Sequence, residues 1–482
     1  MVNAAFGPPV YWPQQPDVPV YHNRAIWPFV TAYALRAAAQ AGNADAVDHA
    51  IASLMRGAAL NLSNMENLEW LTGRPHYDDG PVINSRRQLW SVAGYMGMVV
   101  ETIFGWHVED GGIRIAPFLT ARTRAMFGQP ATARLRGLSH LGRRIDIELR
   151  LPVAAAAGTY YPVARVMLDG QPVSGGAVTL DRLHAGTNVI TVDFGAARSS
   201  NGAISTVPAV SSLSHDDPRV FSPRTPRIAT IGRNGTTISL RIAPASGNGA
   251  LAHIVYRDGI AMATLAPGVS AWQGPAGVPD SHSVCFTLVA VHTVTGLRSH
   301  PSLPACSRGS LAQTVDMDDP RIAGSAPLTA VDGIAVPVRL LSAPANIVVD
   351  RIHIPVSGRY AIATLYNNHT HALNTGVTNA VKRLVLTGAD GWRHEAVIQM
   401  PHVQPDGASH PLRASTRAYA DLAPGDYRLE LSDYFNMSAL AANATYGGPG
   451  GQAGYVNAAT IAAIRIDRVA TKGAEDATRP PR

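Results

Sequence analysis

The spacing of apolar residues changes near residue 110, and this change constrains the fold more than any other feature of the chain. Before it, long Ala-rich segments repeat apolar residues at helical spacing. After it, short runs alternate apolar and polar residues between Gly and Pro. A period of 3.6 residues is typical of amphipathic helices, and a period of two is typical of strands. The sequence therefore predicts a multidomain α+β protein, with an all-α N-terminal segment followed by antiparallel β-sandwich modules.

Three helices are predicted in the N-terminal segment. The first begins after Asn23 and ends at Gly42, and it carries Pro28 in its first turn, where a missing N–H is tolerated. The second runs from about Asp45 to Leu60, and the third from about Ser85 to Gly105. Their apolar faces are predicted to carry Ile26, Phe29, Val30, Tyr33 and Ala37, then Val47, Ile51, Leu54 and Met55, then Leu89, Val92, Ala93, Met96, Val100 and Ile103.

The strand-like segments predict three β-modules, at residues 111–215, 227–309 and 320–470, and a disordered tail at 471–482. The module at 227–309 resembles a fibronectin type III domain, with short strands at regular intervals and a hairpin turn at Tyr256–Gly259. The last module resembles carbohydrate-binding β-sandwiches. In it, Tyr366, Asn367 and Trp392 are candidates for contact with sugar, and a structural role for these aromatic residues is the alternative.

The composition excludes several classes of protein. Of 482 residues, 46% are hydrophobic and 15% charged, which suffices for several cores and is not typical of a disordered chain. The net charge is +6, but the Lys and Arg residues form no basic stripe with interleaved aromatic residues, so nucleic-acid binding is not predicted. No apolar stretch reaches the roughly 18 residues of a membrane span. No zinc-ligand pattern or cofactor motif is present, so we predict neither a metal nor a cofactor.

The chain has two cysteines, Cys285 and Cys306, which lie 21 positions apart in one predicted β-module. We predict that they form a disulfide worth about 3 kcal/mol on the chain-entropy argument. Two buried free thiols are the alternative. A disulfide favours an oxidising compartment, so the predicted location is periplasmic or extracellular, although no signal-peptide pattern precedes Asn23.

The N-terminal segment contains three informative blocks: Tyr21–Pro28 (YHNRAIWP), Met65–Gly73 (MENLEWLTG) and Ser85–Ser91 (SRRQLWS). Together they resemble the C-terminal hairpins of six-hairpin, (α/α)6-barrel glycoside hydrolases of the processing α-glucosidase group. Arg24 is shifted by one position from the family block, and Met65 stands where the family has an aromatic residue. The resemblance covers just under a quarter of the chain.

The resemblance implies an inverting glycoside hydrolase that acts on oligo- or polysaccharide, with Glu66 as general base. Glu69 lies in the same loop and is a rival base. Inverting glycosidases use two carboxyl groups roughly 6.5–9.5 Å apart, and neighbouring cations and amide donors keep the base ionised. Tryptophan rings offer apolar platforms on which sugar rings stack. The candidate substrate-binding residues are Arg24, Trp27, Asn67, Trp70, Arg86, Arg87 and Trp90.

The general acid of the family is an Asp well upstream of the first block, and Asp17 is the one carboxylate that precedes that block here. Three predicted helices also fall short of the twelve in a complete barrel. We therefore expect a C-terminal fragment, inactive by itself, whose helices expose apolar faces that carry Phe29, Tyr33 or Leu54. A non-catalytic carbohydrate-binding protein, or a phosphorylase in which Arg86 and Arg87 hold phosphate, are the alternatives.

Overall fold

The structure is a computed structural model that describes residues 2–16, 18, 21–60, 64–74, 78–79, 82–83, 85, 87–207, 217–244, 250–369, 379–403, 410–436 and 457–470. The tail at 471–482, predicted to be disordered, lies outside the described residues, as does Arg86. The chain forms two compact units. Unit 1 comprises Met1–Pro223, Gly247–Gly249 and Val294–Arg298, and unit 2 comprises Arg224–Ser246, Ala250–Thr293 and Ser299–Arg482.

The helices lie in unit 1, and those described are too short or too polar to cross a membrane. A π-helical turn, Met98–Ile103, continues the third helix, and two 3₁₀ turns occupy Ser174–Gly176 and Leu180–Arg182. The α-helices are α1 (Pro28–Gln40), α2 (Ala44–Ala59), α3 (Leu89–Gly97) and α4 (Ala121–Met126).

The strands of unit 1 include a five-stranded sheet in the order β13-β12-β15-β10-β9. The described strands are β1 (Val2–Asn3), β2 (Ala25–Ile26), β3 (Leu68–Glu69), β4 (Asp78–Asp79), β5 (Val82–Ile83), β6 (Trp106–Glu109), β7 (Gly112–Ile115), β8 (Leu119–Thr120), β9 (Thr132–His140), β10 (Arg143–Arg150), β11 (Thr159–Tyr161), β12 (Val163–Leu168), β13 (Gln171–Val173), β14 (Ala177–Thr179), β15 (Thr187–Phe194), β16 (Arg198–Ser199) and β17 (Ser205–Thr206).

The strands of unit 2 form two pairs of antiparallel sheets. They are β18 (Ile228–Asn234), β19 (Thr237–Ile242), β20 (Leu251–Arg257), β21 (Ile260–Leu265), β22 (Ala271–Pro275), β23 (Val284–His292), β24 (Ala305–Ser307), β25 (Gln313–Asp316), β26 (Ile322–Ala323), β27 (Leu328–Thr329), β28 (Val338–Leu341), β29 (Asn346–Ile354), β30 (Gly358–Asn367), β31 (Ala380–Gly388), β32 (Arg393–Met400), β33 (Arg413–Ala414), β34 (Ala418–Leu422), β35 (Gly425–Asp433) and β36 (Ala459–Val469).

Each pair of sheets in unit 2 encloses a hydrophobic core. The sheets β18-β19-β22 and β21-β20-β23-β24 share a core around Leu240, Val255 and Phe286. A seven-stranded sheet built around β30 and β36 and a five-stranded sheet, β26-β29-β35-β31-β32, enclose a larger core. These are the predicted β-sandwiches, and the predicted fold class, helices first and β-sandwich modules after, is confirmed.

Two strand pairs in unit 1 depart from the predicted antiparallel arrangement: the short pair of β1 with β17, and the pair of β10 with β15 in the five-stranded sheet. β10 and β15 run parallel, with Ile145 opposite Asn188 and Ile147 opposite Ile190. A parallel pair requires a long crossover between its strands, and here that crossover contains β11 to β14. Alternation of apolar residues identifies a strand but not its direction, so this pairing could not be read from the pattern.

The predicted apolar face of α1 is also wrong. The helix buries Pro28, Thr31, Leu35 and Ala38, whereas Tyr33 is 66% exposed. Leu35 and Ala38 share a core with Val47, Ile51 and Leu54 of α2. Leu35 and Ala38 fill the contact with α2, so Tyr33, on another side of α1, remains exposed.

Helix α3 carries apolar side chains that the described residues leave uncovered. Leu89 is 84% exposed and Met96 is 52% exposed, and Val92 is also exposed. A helix without charged side chains is normally buried on all sides. The helix buries Ser91 and Gly94 instead, so the apolar face predicted for it is wrong at Leu89, Val92 and Met96. Of the residues expected to be exposed, Tyr33 is exposed and Phe29 is half-buried. Leu54, by contrast, is buried within unit 1, because α2 packs Val47, Ile51 and Leu54 inward, whereas Met55 of the same predicted face is exposed.

Candidate functional site

The first two sequence blocks meet in a short antiparallel pair, in which β2 lies beside β3. The amide of Trp70 donates to the carbonyl of Arg24 at 2.9 Å and extends the pairing. Arg24 adopts a left-handed backbone conformation, with φ of 58°, and its amide donates to the side chain of Gln14. This turn delays the start of α1 to Pro28, four residues later than the helical spacing predicts, since Ala25 and Ile26 are strand residues.

The third block joins the site through Glu66. The amide of Glu66 donates to the carbonyl of Ser85 at 2.9 Å, and the amide of Ser85 donates to Glu66 Oε2 at 2.6 Å. The hydroxyl of Tyr21 donates to Glu66 Oε1 at 3.1 Å. Glu66 is thus a buried carboxylate with a donor on each oxygen. The two hydrogen bonds hold the carboxylate in a fixed orientation.

Tyr21 is a candidate site residue that the sequence interpretation missed, although it opens the first block. Burial, followed by the charge and the hydrogen bond of Glu66, raises the pKa of Tyr21 to about 12. The phenol therefore keeps its proton at neutral pH and remains a donor to Glu66. An aromatic residue with a hydroxyl at the start of the block was the available signal.

Glu69, the rival base, has a different environment. Its Oε1 pairs with Nη2 of Arg24 at 3.1 Å, and both side chains are largely buried. Its Oε2 accepts the amide of Leu71 at 3.2 Å, the amide of Thr72 at 2.7 Å and the Thr72 hydroxyl at 2.6 Å. Four donors occupy this carboxylate and hold the turn after β3. The geometry favours a structural role for Glu69 and leaves Glu66 as the better candidate for base.

The three tryptophans predicted to bind sugar are not equivalent. Trp70 is fully buried and its Nε1 donates to the Gly7 carbonyl at 3.0 Å. Trp27 is also buried, and its Nε1 donates to the Tyr21 carbonyl at 2.9 Å. Trp90 is 43% exposed, and its ring centroid lies 5.8 Å from that of Trp27. Among them Trp90 is the ring that offers free area for stacking.

The remaining predicted substrate-binding residues of unit 1 differ in burial and in their contacts. Asn67 is fully buried, and Arg24 is committed to Glu69. Arg87 is exposed, and its amide donates to the Ser85 hydroxyl at 3.3 Å. Met65, which stands where the family has an aromatic residue, is fully buried in a core with Leu68 and Trp70. The position requires an apolar side chain, which a methionine and an aromatic residue both provide.

Several cavities of unit 1 lie beside helices. One of about 250 Å³ is lined by Phe29, Tyr33 and Trp90 together with Arg36 and Glu101, which pair at 3.0 Å. Aromatic side chains and an ion pair therefore line the same cavity.

Another cavity, of about 680 Å³, is lined by Asp45, Asp48, His49 and Arg122 and contains none of the predicted residues. Burial raises the pKa of Asp48, against the hydrogen bond from Thr120, and burial lowers the pKa of His49.

In unit 2, two of the three predicted sugar-binding residues belong to the core. The hydroxyl of Tyr366 donates to the Pro401 carbonyl at 2.9 Å, and Nδ2 of Asn367 donates to the Pro411 carbonyl at 3.0 Å. Both residues are buried. Trp392 is 37% exposed and stacks on His394, with centroids 5.9 Å apart and planes within 7°. Within the described ranges, no three His, Cys, Asp or Glu residues are grouped so that they could hold a metal ion.

Comparison with known proteins gives structural neighbours but no family. No protein-family model matches the chain, and no curated protein matches it. A family 35 carbohydrate-binding module from Clostridium thermocellum aligns at 10% identity and a TM-score of 0.22, over 32% of this chain and 98% of the module. The C-terminal family 6 module of the laminarinase LamC from Zobellia galactanivorans aligns at 10% identity and a TM-score of 0.21, over 33% and 99%.

A tandem of two family 22 modules from Xyn10C of Paenibacillus barcinonensis aligns at 11% identity and a TM-score of 0.22, over 49% of this chain and 80% of the tandem. At these identities and TM-scores, the alignments establish no family membership. The six-hairpin barrel is not among these neighbours.

The environment of Glu69 predicts a large effect on stability. Glu69→Gln removes the charge that balances the buried guanidinium of Arg24, so the free energy of unfolding should fall by about 3 kcal/mol. Denaturant unfolding, followed by the fluorescence of the tryptophans of unit 1, measures the loss. Glu109→Gln, at an exposed ion pair with Arg114, is the control and should cost less than about 1 kcal/mol. Equal losses in the two variants would contradict the structural role of Glu69.

The hydrogen bond between Tyr21 and Glu66 predicts a pH dependence. An unfolded tyrosine releases its proton near pH 10, and Tyr21 in the folded chain releases it near pH 12. The free energy of unfolding should therefore fall as pH rises from about 10 to 12. Absorbance titration of the chain against its Tyr21→Phe variant isolates the pKa of this phenol. Glu66→Gln should lower that pKa only in part, because burial is the larger cause. A Tyr21 that titrates with the exposed tyrosines would contradict the contact.

Proposed function

We propose that this chain is the C-terminal part of an inverting glycoside hydrolase that acts on oligo- or polysaccharide, with Glu66 as general base. The observation that carries the proposal is the environment of Glu66, a buried carboxylate held by Tyr21 and by the amide of Ser85. Three blocks separated in sequence converge on it. A rigidly held carboxylate at such a point can orient and deprotonate a water molecule.

The fragment status is part of the proposal and is supported by the exposed side of α1 and α3. Tyr33, Trp90 and Met96 are large side chains that water reaches. Burying them would contribute about 25 cal/mol for each Å² removed from water. In the proposed enzyme, further barrel helices cover this side and contribute the general acid.

The β-modules have supporting roles in the same proposal. Residues 111–215 form the sandwich that accompanies the barrel, residues 227–309 a fibronectin type III-like spacer, and residues 320–470 a carbohydrate-binding-like module. The disulfide between Cys285 and Cys306 supports a periplasmic or extracellular location, since such bonds persist in oxidising compartments.

The catalytic test compares the chain with a polypeptide in which the remaining barrel helices are supplied. The purified chain should release no sugar, because general acid catalysis contributes about 10²–10⁴-fold and is lacking. The completed enzyme should hydrolyse an oligosaccharide with inversion, which NMR of the first product anomer detects. Glu66→Gln should abolish this turnover, and Glu109→Gln should leave it unchanged. Turnover by the chain alone would refute the fragment proposal, and an active Glu66→Gln enzyme would refute the base.

A second candidate, a non-catalytic carbohydrate-binding protein, is favoured by one observation. Trp392 presents a partly exposed ring, backed by His394 in parallel stacking, at the surface of a β-sandwich. Aromatic faces of this kind are suited to the apolar C–H face of a sugar ring.

The binding test measures the affinity of the chain for soluble polysaccharides by calorimetry. Trp392→Ala should weaken binding at least about tenfold, in line with the loss of a stacking side chain. Tyr419→Ala is the matched control, because Tyr419 is a similarly exposed ring that lies under the guanidinium of Arg359. If both variants bind as the parent chain does, the sugar does not contact this surface.

A further inference from the structure

The disulfide between Cys285 and Cys306 links the two neighbouring strands β23 and β24. The cysteines lie directly opposite each other, with Cα atoms 4.0 Å apart, so the disulfide predicted from the sequence is present. Because the strands are already paired, the bond does not itself bridge the two sandwiches of unit 2. Cys285 is buried, and Cys306 is partly exposed.

A side chain from the terminal sandwich reaches this bond. Arg417 precedes β34, and its Nη2 lies 2.6 Å from Cys285 Sγ and 3.0 Å from Cys306 Sγ. A permanently charged guanidinium beside a sulfur stabilises the thiolate form and lowers the pKa of the corresponding thiol. The arrangement is asymmetric, since the cation is nearer the sulfur of buried Cys285, and Cys306 is the more accessible residue of the two.

The ends of the same strands carry further contacts between the two sandwiches. Asp467 Oδ1, near the end of β36, accepts the Ser283 hydroxyl and Nε of Arg308, each at 2.9 Å. The amide of Ser283 donates to the Arg468 carbonyl at 2.8 Å. Ser283 and Arg308 each stand two residues from a cysteine. Ser283 immediately precedes β23 and Arg308 immediately follows β24, the two strands that the disulfide links.

We propose that the Cys285–Cys306 disulfide is a site of thiol–disulfide exchange, activated by Arg417, that controls the junction between the two sandwiches of unit 2. The thiolate of a dithiol attacks Cys306 Sγ and forms a mixed disulfide. The S–S bond breaks, and its electron pair leaves on Cys285 Sγ, beside Arg417 Nη2.

The second thiolate of the dithiol then attacks the reagent sulfur of the mixed disulfide. The bond to Cys306 Sγ breaks, Cys306 leaves as a thiolate, and the reagent forms an internal disulfide. Two electrons pass to the protein, and the two protons of the dithiol end on Cys285 and Cys306. A leaving thiol of lower pKa departs faster, so Arg417 accelerates the first step. Once the bond is open, the ends of β23 and β24 separate more easily, and Ser283 and Arg308 lose their fixed spacing around Asp467.

The first experiment measures the rate of reduction of the folded chain by dithiothreitol, with maleimide trapping and mass spectrometry. Arg417→Met should slow reduction about threefold or more, and Arg417→Lys, which keeps a cation, should recover part of the rate. Arg413→Met is the matched control, because Arg413 is an exposed arginine on β33. Thermal unfolding of each variant verifies that the fold is kept. Equal rates for Arg417→Met and the parent chain would overturn the activation by Arg417.

The second experiment follows the junction by hydrogen exchange. Reduction should raise the exchange rate of the Ser283 amide and of the Gly309 amide, which donates to the Ser283 hydroxyl at 2.9 Å. Asp467→Asn should produce the same increase with the disulfide intact. Amides of β29 to β32 should remain protected and serve as the internal control. Unchanged exchange at Ser283 and Gly309 after complete reduction would overturn the coupling between the disulfide and the junction.

Discussion

The N-terminal unit depends on the burial of two carboxylates in one loop. Glu69 neutralises Arg24 and holds the turn at Thr72, and Glu66 binds Tyr21 and Ser85. A buried carboxylate without partners costs several kcal/mol, so these contacts fix which segments of the chain must meet. The strand pair between β2 and β3 and the start of α1 follow from that meeting. The loop is thus a structural centre as well as the candidate site.

Glu66 and Glu69 also show that two residues of the same type in one loop differ in their hydrogen-bond environment. Glu69 has four donors, of which three belong to its own turn and the fourth is the guanidinium of Arg24. Glu66 has one donor on each oxygen, which leaves acceptor capacity for a further ligand. Sequence spacing treats the two as rivals, because both lie in one loop. Both are buried, and the number of donors distinguishes them.

Sequence periodicity predicted the fold class well and the packing less well. Helices within a few residues of their observed bounds, the β-sandwiches and the disulfide were available from local patterns. The inward face of α1 was not, because both sides of that helix carry apolar residues and Leu35 outcompetes Tyr33 for the core. The roles of Tyr366 and Asn367 were also hidden, since hydrogen bonds to Pro401 and Pro411 are contacts between distant segments.

The parallel pairing of β10 with β15 has a consequence for the order of folding. β9 and β10 are neighbours in sequence and can close as a hairpin within microseconds. β15 joins the free side of β10 after a crossover of more than thirty residues, and it in turn carries β12 and β13 on its other side. Non-local contacts of this kind must wait for the entropy of loop closure to be overcome. β15, the central strand of this sheet, therefore pairs last. Until it pairs, the edges of β10 and β12 are unpaired and accessible to other chains.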